Sequence, residues 1–336
     1  MNVSPQISRE RQGLLLCIVA ALGFGSMAVL AKLAYAAGAS VLTLMSVRFA
    51  IGAGPLWIIA AHRGVAGVGS KRAALAALAL GLFLYSAESG LYATALTRID
   101  ASLGELLMFS YPAIVVVAAI ALRREPPSRR RLGAVAIATT GVVLTLAGGA
   151  TGAIDPVGVA LALSAAAIYA TYVLSADALG GRMHPLTFAA LICSGAAIAF
   201  AAAGTTTGQI HLGALHWQAW LWIGVIAIGS TAVGMSAFVA GVERLGPSRA
   251  SIMSALDPLV AMSLAGVVFG EQLSPIQLLG AMLVIAAVVI LQVPVRRRLA
   301  RRRVARPIAS RDRGASACPA PQPSAGSLAL VTSERR

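Results

Sequence analysis

YATALTRIDASLGELLMFSYPAIVVVAAIALRRE, residues 92–125, returns in degenerate form 146 positions later as FVAGVERLGPSRASIMSALDPLVAMSLAGVVFGE, residues 238–271. At that offset Arg98 meets Arg244, Ser102 meets Ser248, Pro112 meets Pro258, Ala119 meets Ala265 and Glu125 meets Glu271. One inserted residue later, Gly133-Ala134 meets Gly280-Ala281. Isolated identities arise by chance in Ala/Leu/Val-rich sequence. A proline and a glutamate at one fixed separation, at the same place in two hydropathy profiles, carry more weight. The chain reads as two related halves.

Outward from these stretches, composition sets the class. The chain has 336 residues, is 58% hydrophobic and 12% charged, and has a mean hydropathy of +0.82. Its apolar runs reach the roughly 18 residues that a membrane-spanning helix needs. Five runs fill the first half, at residues 13–35, 40–61, 73–96, 101–122 and 132–146, the last short and Arg-flanked. Five more fill the second, at 155–176, 185–203, 217–241, 247–270 and 275–293. The expected domains are therefore a five-helix unit at 13–147, a second at 154–293, and a basic, disordered tail at 294–336, rich in Arg, Pro and Ser. The loops are short and punctuated by Gly, Pro and Ser, leaving no room for an inserted soluble domain. Ser274-Pro275 predicts a helix start, with serine as N-cap and proline at the first helical position.

A net charge of +15 would indicate nucleic acid in a soluble protein, but here it reports topology. With the N-terminus inside, 24 of the 27 Lys and Arg fall on inside segments or the tail, against only Arg98 outside and Lys32 and Arg48 within spans. Both termini are thus expected on the cytoplasmic side of a multi-pass protein. Two five-span halves must then lie upside down to one another, an arrangement suited to alternating access. The first run is longer than the apolar region of a signal peptide, and 154–177 reads as its counterpart, so cleavage after Ala36 is not expected.

Further residues carry a family resemblance. Leu22-Gly23-Phe24-Gly25 with Lys32 downstream, then Arg48-Phe49, is similar to the opening two helices of the EamA family of the drug/metabolite transporter superfamily. Ala95-Leu96 to Pro112 to Glu125, and Val242 to Pro258 to Glu271, resemble that family's small-residue helix, mid-span proline and helix-ending glutamate. Asp257-Pro258 sits where the family often has Glu-Pro, and Glu105 departs from a position expected to be small or hydroxylated. The resemblance covers about 13–293. It implies an all-α membrane protein with ten transmembrane helices in two inverted five-helix repeats. It also implies a secondary, non-ATP transporter of small metabolites or drug-like solutes, an exporter. With the Arg-heavy usage, it points to a bacterial cytoplasmic (inner) membrane.

An ionisable group in hydrocarbon costs about 2.5 to 3.5 kcal/mol or more, so it faces a cavity or a partner. Arg48, Glu88, Glu105 and Asp257 lie within runs. Tyr85, Glu88 and Tyr92, at α-helical spacing, set one carboxylate between two phenols, a face suited to an amphipathic or cationic solute. The alternative is a Glu88 paired to Arg48 that only fixes helix packing. Pro112 and Pro258 deprive the carbonyls of Met108 and Ser254 of their helical partners, marking paired weak points beside a cavity, or static kinks. The substrate-binding candidates are thus Arg48, Tyr85, Glu88, Tyr92, Glu105, Tyr111 and Asp257, and the gating candidates Pro112 and Pro258. One of Glu88 and Glu105 is expected to carry a coupling proton or bind a cationic group. Lys32 reads as a snorkelling structural residue, and Tyr169 and Tyr172 as packing.

No G-x-x-x-x-G-K-[ST] loop, H-E-x-x-H or G-x-S-x-G occurs, and the four histidines sit in loops or at span ends. No enzyme, cofactor, metal or nucleic-acid partner is expected. Cys17, Cys193 and Cys318 form no disulfide framework. The partners expected are a small solute, the lipid bilayer and a proton as coupling ion. A channel, a uniporter or a membrane-embedded interaction protein is the alternative class.

Overall fold

A computed structural model describes residues 5–123, 126–148, 154–179 and 181–292. Glu125 and the tail 294–336, with Cys318, lie outside the described residues. All the regular structure described is helical. The first half contains α1 (Pro5–Ala36), α2 (Val41–His62), α3 (Lys71–Ala95), α4 (Ala101–Ala121) and α5 (Arg129–Gly148). The second contains α6 (Pro156–Ala178), α7 (Pro185–Thr206), α8 (Trp217–Leu245), α9 (residues 247–269) and α10 (Pro275–Gln292). Among the described residues, nine of these are long and apolar enough to cross a membrane, and the tenth, α9, is split by a tight turn. Ten spans were expected and ten helices stand in their places. The short fifth run gains length because α5 begins at Arg129, taking three arginines into its first turn.

The ends follow local chemistry. Ser40 caps α2 by accepting from the Thr43 N–H, and Asp155 caps α6 by accepting from Val157, with Pro156 following. At α10 the expected serine cap is a full reciprocal box. Ser274 Oγ accepts from the Gln277 N–H, and Gln277 Oε1 accepts from the Ser274 N–H, 2.9 Å away.

Two features were hidden from hydropathy. Helices α3 and α8 each contain a stretch of wider i→i+5 winding, Leu80–Tyr85 and Ile226–Gly234, that begin 146 positions apart. Helices α4 and α9 are each interrupted before their proline. The first breaks at Phe109–Ser110 between Ala101–Met108 and Tyr111–Ala121, and the second turns through a 3-10 segment, Ser254–Leu256. That turn corrects one expectation, since the Ser254 carbonyl is not orphaned by Pro258: the tightened winding gives it the Asp257 N–H.

Equivalent helices run antiparallel. Along α2 and α7, Ser40 Oγ donates to Gln209 O, Trp57 Nε1 to Ser194 Oγ, and Thr187 Oγ1 to Val65 O, so one numbering rises as the other falls. Along α5 and α10, a Cβ on Gly141 would stand 2.7 Å from Gly280 O, one on Gly148 would stand 2.7 Å from Gln277 N, and Arg130 donates to Ile290 O. The first helix of each half packs on the third helix of the other, at the same contact twice. A Cβ on Gly13 would meet Leu245 and Arg244 at 2.7 and 3.0 Å, and one on Gly158 would meet Ile99 and Arg98 at 2.6 and 3.0 Å. The halves are interlocked inverted repeats.

Candidate functional site

The interlock leaves a cavity of about 210 Å³ between the halves, walled by α1, α2, α3, α4, α6, α8 and α9. Arg48, Tyr85, Glu88, Tyr92, Glu105, Tyr111 and Asp257, the seven solute-contacting candidates, all line it. Its four ionisable residues are only 6–7% exposed.

Two glycines of α1 let the second half approach. A Cβ on Gly23 would stand 3.1 Å from Gly229 O in the wide-wound stretch of α8, and one on Gly25 only 2.5 Å from Asp257 O at the break in α9. These glycines, singled out in the sequence as Leu22-Gly23-Phe24-Gly25, set both irregular segments against the cavity.

Arg48 on α2 is held by the opposite half. Its Nε–H donates to Thr231 Oγ1 at 3.1 Å, its Nη1 lies 3.9 Å from Met45 Sδ, and its guanidinium sits 4.7 Å from the centre of the Phe49 ring. Phe49 in turn stacks on Phe200, 5.7 Å away. Among the described residues no ion pair joins Arg48 to Glu88, so the pairing weighed in the sequence is not formed. Glu88 instead accepts from Ser89 Oγ at 2.9 Å.

The two phenols expected to flank Glu88 divide. Tyr85 stands at the end of the wide-wound stretch, and its ring packs against Phe49 and Tyr172. Tyr92 turns to the next helix and donates to Glu105 at 2.5 Å, across a surface kept low by Gly104. Asp257 directly follows the turn at Ser254–Leu256 and opens the second part of α9. Asp257 Oδ1 is buried with no hydrogen-bond partner, as is the Oγ of Ser230, another cavity residue.

Several wall residues escaped the sequence reading. Tyr169 and Tyr172 of α6, taken as packing, line the cavity, and so do Ser230, Thr231, Met235 and Phe109. Two tyrosines three apart on an otherwise Ala-rich span were the signal for the first pair. The rings of Phe49, Tyr85, Tyr172, Tyr169, Tyr111 and Phe109 follow one another with centroids 4.7–6.2 Å apart.

Pro112 and Pro258 stand in the first turn of Tyr111–Ala121 and of Asp257–Phe269, each beside a cavity residue. At the end of the cavity region near Leu96, Glu271 reaches across the halves. It accepts from the Ala101 and Ser102 N–H groups at 3.1 Å and from Ser102 Oγ at 2.6 Å, capping α4. Gly270, at φ 68°, ends α9 in a left-handed turn and aims that carboxylate. Lys32 donates to Ile99 O at 2.9 Å and lies 3.8 Å from Glu271, in a structural cluster apart from the cavity. Among the described residues no group of three His, Cys, Asp or Glu side chains is placed to hold a metal.

Both a protein family and solved structures match the chain. The EamA-like transporter family matches the chain twice, over residues 11–147 and 156–293. A crystal structure superposes with a TM-score of 0.60 over 83% of this chain and 96% of its own, at 18% identity, a likeness of fold alone. No curated protein matches the chain significantly.

Proposed function

Because the chain belongs to the EamA-like transporter family, we propose that it is a secondary transporter moving small metabolites or drug-like solutes by alternating access between its inverted halves. The observation that carries this reading is the cavity itself, enclosed by both halves and lined by Arg48, Glu88, Glu105 and Asp257. Buried ionisable groups at a repeat interface are the usual makings of a solute or ion site. Three of the four have partners of their own: Arg48 on Thr231, Glu88 on Ser89 and Glu105 on Tyr92. Among the described residues neither glutamate forms an ion pair with the guanidinium, which leaves both able to exchange a proton as access changes.

Transport is read as export from a bacterial cytoplasmic membrane with both termini inside. The basic-residue bias supports the orientation, and family membership with Arg-heavy usage supports the locality. Impermeant thiol labelling of cysteines introduced at residues 98 and 336 tests it, and labelling from the same side overturns it.

The deciding experiment is counterflow of a labelled metabolite panel in proteoliposomes, with and without a pH gradient. Accumulation against a gradient, driven by protons and flattened in its pH dependence by Glu88→Gln or Glu105→Gln, is expected. Downhill flux alone, unchanged in both variants, would make the protein a uniporter or channel.

A further inference from the structure

The cavity holds three carboxylates against one guanidinium, and their partners decide which is available. Glu88 has the Ser89 hydroxyl and Glu105 the Tyr92 hydroxyl. Arg48 is already turned to Thr231, Met45 and the Phe49 ring. That leaves Asp257, a cavity-lining residue 7% exposed whose buried Oδ1 has no hydrogen-bond partner, and Ser230, whose Oγ likewise has none. A buried acceptor without a donor is a site waiting for an N–H or O–H group. Tyr85, Tyr111, Tyr169 and Tyr172 form a run of rings along one part of the wall, and ring faces attract cations. At about 210 Å³ the cavity is smaller than the roughly 300–1,000 Å³ of drug-sized sites, so its occupant is compact.

We propose that the solute is a small protonated amine with one ring or an equally compact apolar body, its ammonium N–H donors docking on Asp257 and its body lying against the tyrosine wall. This rests on the transporter reading and names its substrate class. An anion would bring its charge to three carboxylates.

The test compares four probes that share a phenyl ring and differ in head group: phenethylammonium, phenylalanine, 2-phenylethanol and 3-phenylpropanoate. Calorimetry on the full chain in nanodiscs at about pH 7, where the amine is protonated, should find the ammonium bound roughly ten-fold or more tighter than the other three. Asp257→Asn should weaken that binding by about ten-fold or more while leaving 2-phenylethanol unchanged. The head-group series on the parent protein decides the question even where the variant does not fold. Equal binding of all four, tightest binding of the zwitterion or anion, or no binding of the ammonium overturns the proposal. Counterflow of the labelled probes separates it from the reading beneath. Ammonium binding without movement sinks the transporter and leaves the docking role, whereas movement of phenylalanine but not phenethylammonium sinks the docking role and leaves the transporter.

Discussion

Helices α3 and α8 show how the two halves differ on a shared frame. Both carry wide winding that begins at matching positions, Leu80 and Ile226, and both set it against the second helix of the opposite half. In α3 the approach is backbone on backbone, since a Cβ on Gly81 would stand 2.3 Å from Ile192 O. In α8 the matching residue is Ala227, fully buried with its Cβ already accommodated. The chemistry divides as well. The position matching Glu88 is Gly234, where a Cβ would stand 3.2 Å from the Phe24 ring, so an aromatic occupies the space a second glutamate would need. Backbone shape is duplicated while charge is not, which makes packing and function separable by mutation.

The largest effect should fall on the closer contact. Gly81→Leu should abolish a monodisperse folded protein in size-exclusion chromatography, because the clash is with backbone and overpacking costs about 1–3 kcal/mol or more. Gly54→Leu, where a Cβ meets nothing within 4 Å, should elute as the parent does. In the other half, Ala227→Gly should cost only about 1 kcal/mol. Equal behaviour of the Gly81 and Gly54 variants would end the claim that the backbone contact at Gly81 is tight.

Next comes the cap that ties the halves. Glu271→Ala removes all three acceptor contacts to Ala101 and Ser102. A drop in melting temperature corresponding to about 1–2 kcal/mol is expected, with Glu271→Gln recovering part of it. An unchanged melting curve would make the cap incidental.

The two proline breaks sharpen the comparison in function. Because the Ser254 carbonyl already has a donor, Pro258→Ala restores little, whereas Pro112→Ala should straighten α4. Turnover in matched proteoliposomes should fall several-fold for Pro112→Ala and less for Pro258→Ala, with stability unchanged or raised in both. Parental rates in both variants would remove any gating role.

The smallest effect is at the surface. The hydrogen bond from Arg98 and then the Val157 N–H hold the Asp155 carboxyl below its ordinary range. A carboxyl depressed in the folded state stabilises fully above its unfolded value of about 4 and loses that contribution as pH falls through the folded value. Arg98→Ala should therefore flatten a slight acid-side decline in melting temperature. Arg244→Ala should not, because Arg244 donates to Ala240 O of its own helix.

How much of this was legible follows from what hydropathy and spacing encode. The ten runs could be read because burial in lipid demands continuous apolar sequence, and the inversion followed from odd-numbered halves and the placement of arginine. The signature glutamate could be read as a repeat, but its task could not: Glu271 acts on Ser102, 169 positions away. The wide winding of α3 and α8 leaves no trace in hydropathy, since i→i+5 and i→i+4 segments use the same residues. The cavity residues were found through their cost in hydrocarbon. Their partners, Thr231 for Arg48 and Tyr92 for Glu105, were set by interhelical packing that spacing along one helix cannot see.

The reciprocal packing of first helix on third also bears on how the chain is made. Ribosomes extend a polypeptide at about 5–20 residues per second, so the second half emerges roughly 7 to 30 s after the first. Throughout that interval Gly13 has no Leu245 to rest on, and Arg48 stands in the bilayer without Thr231. The first half on its own therefore lacks contacts that its glycine-lined first helix and its buried arginine have in the finished fold.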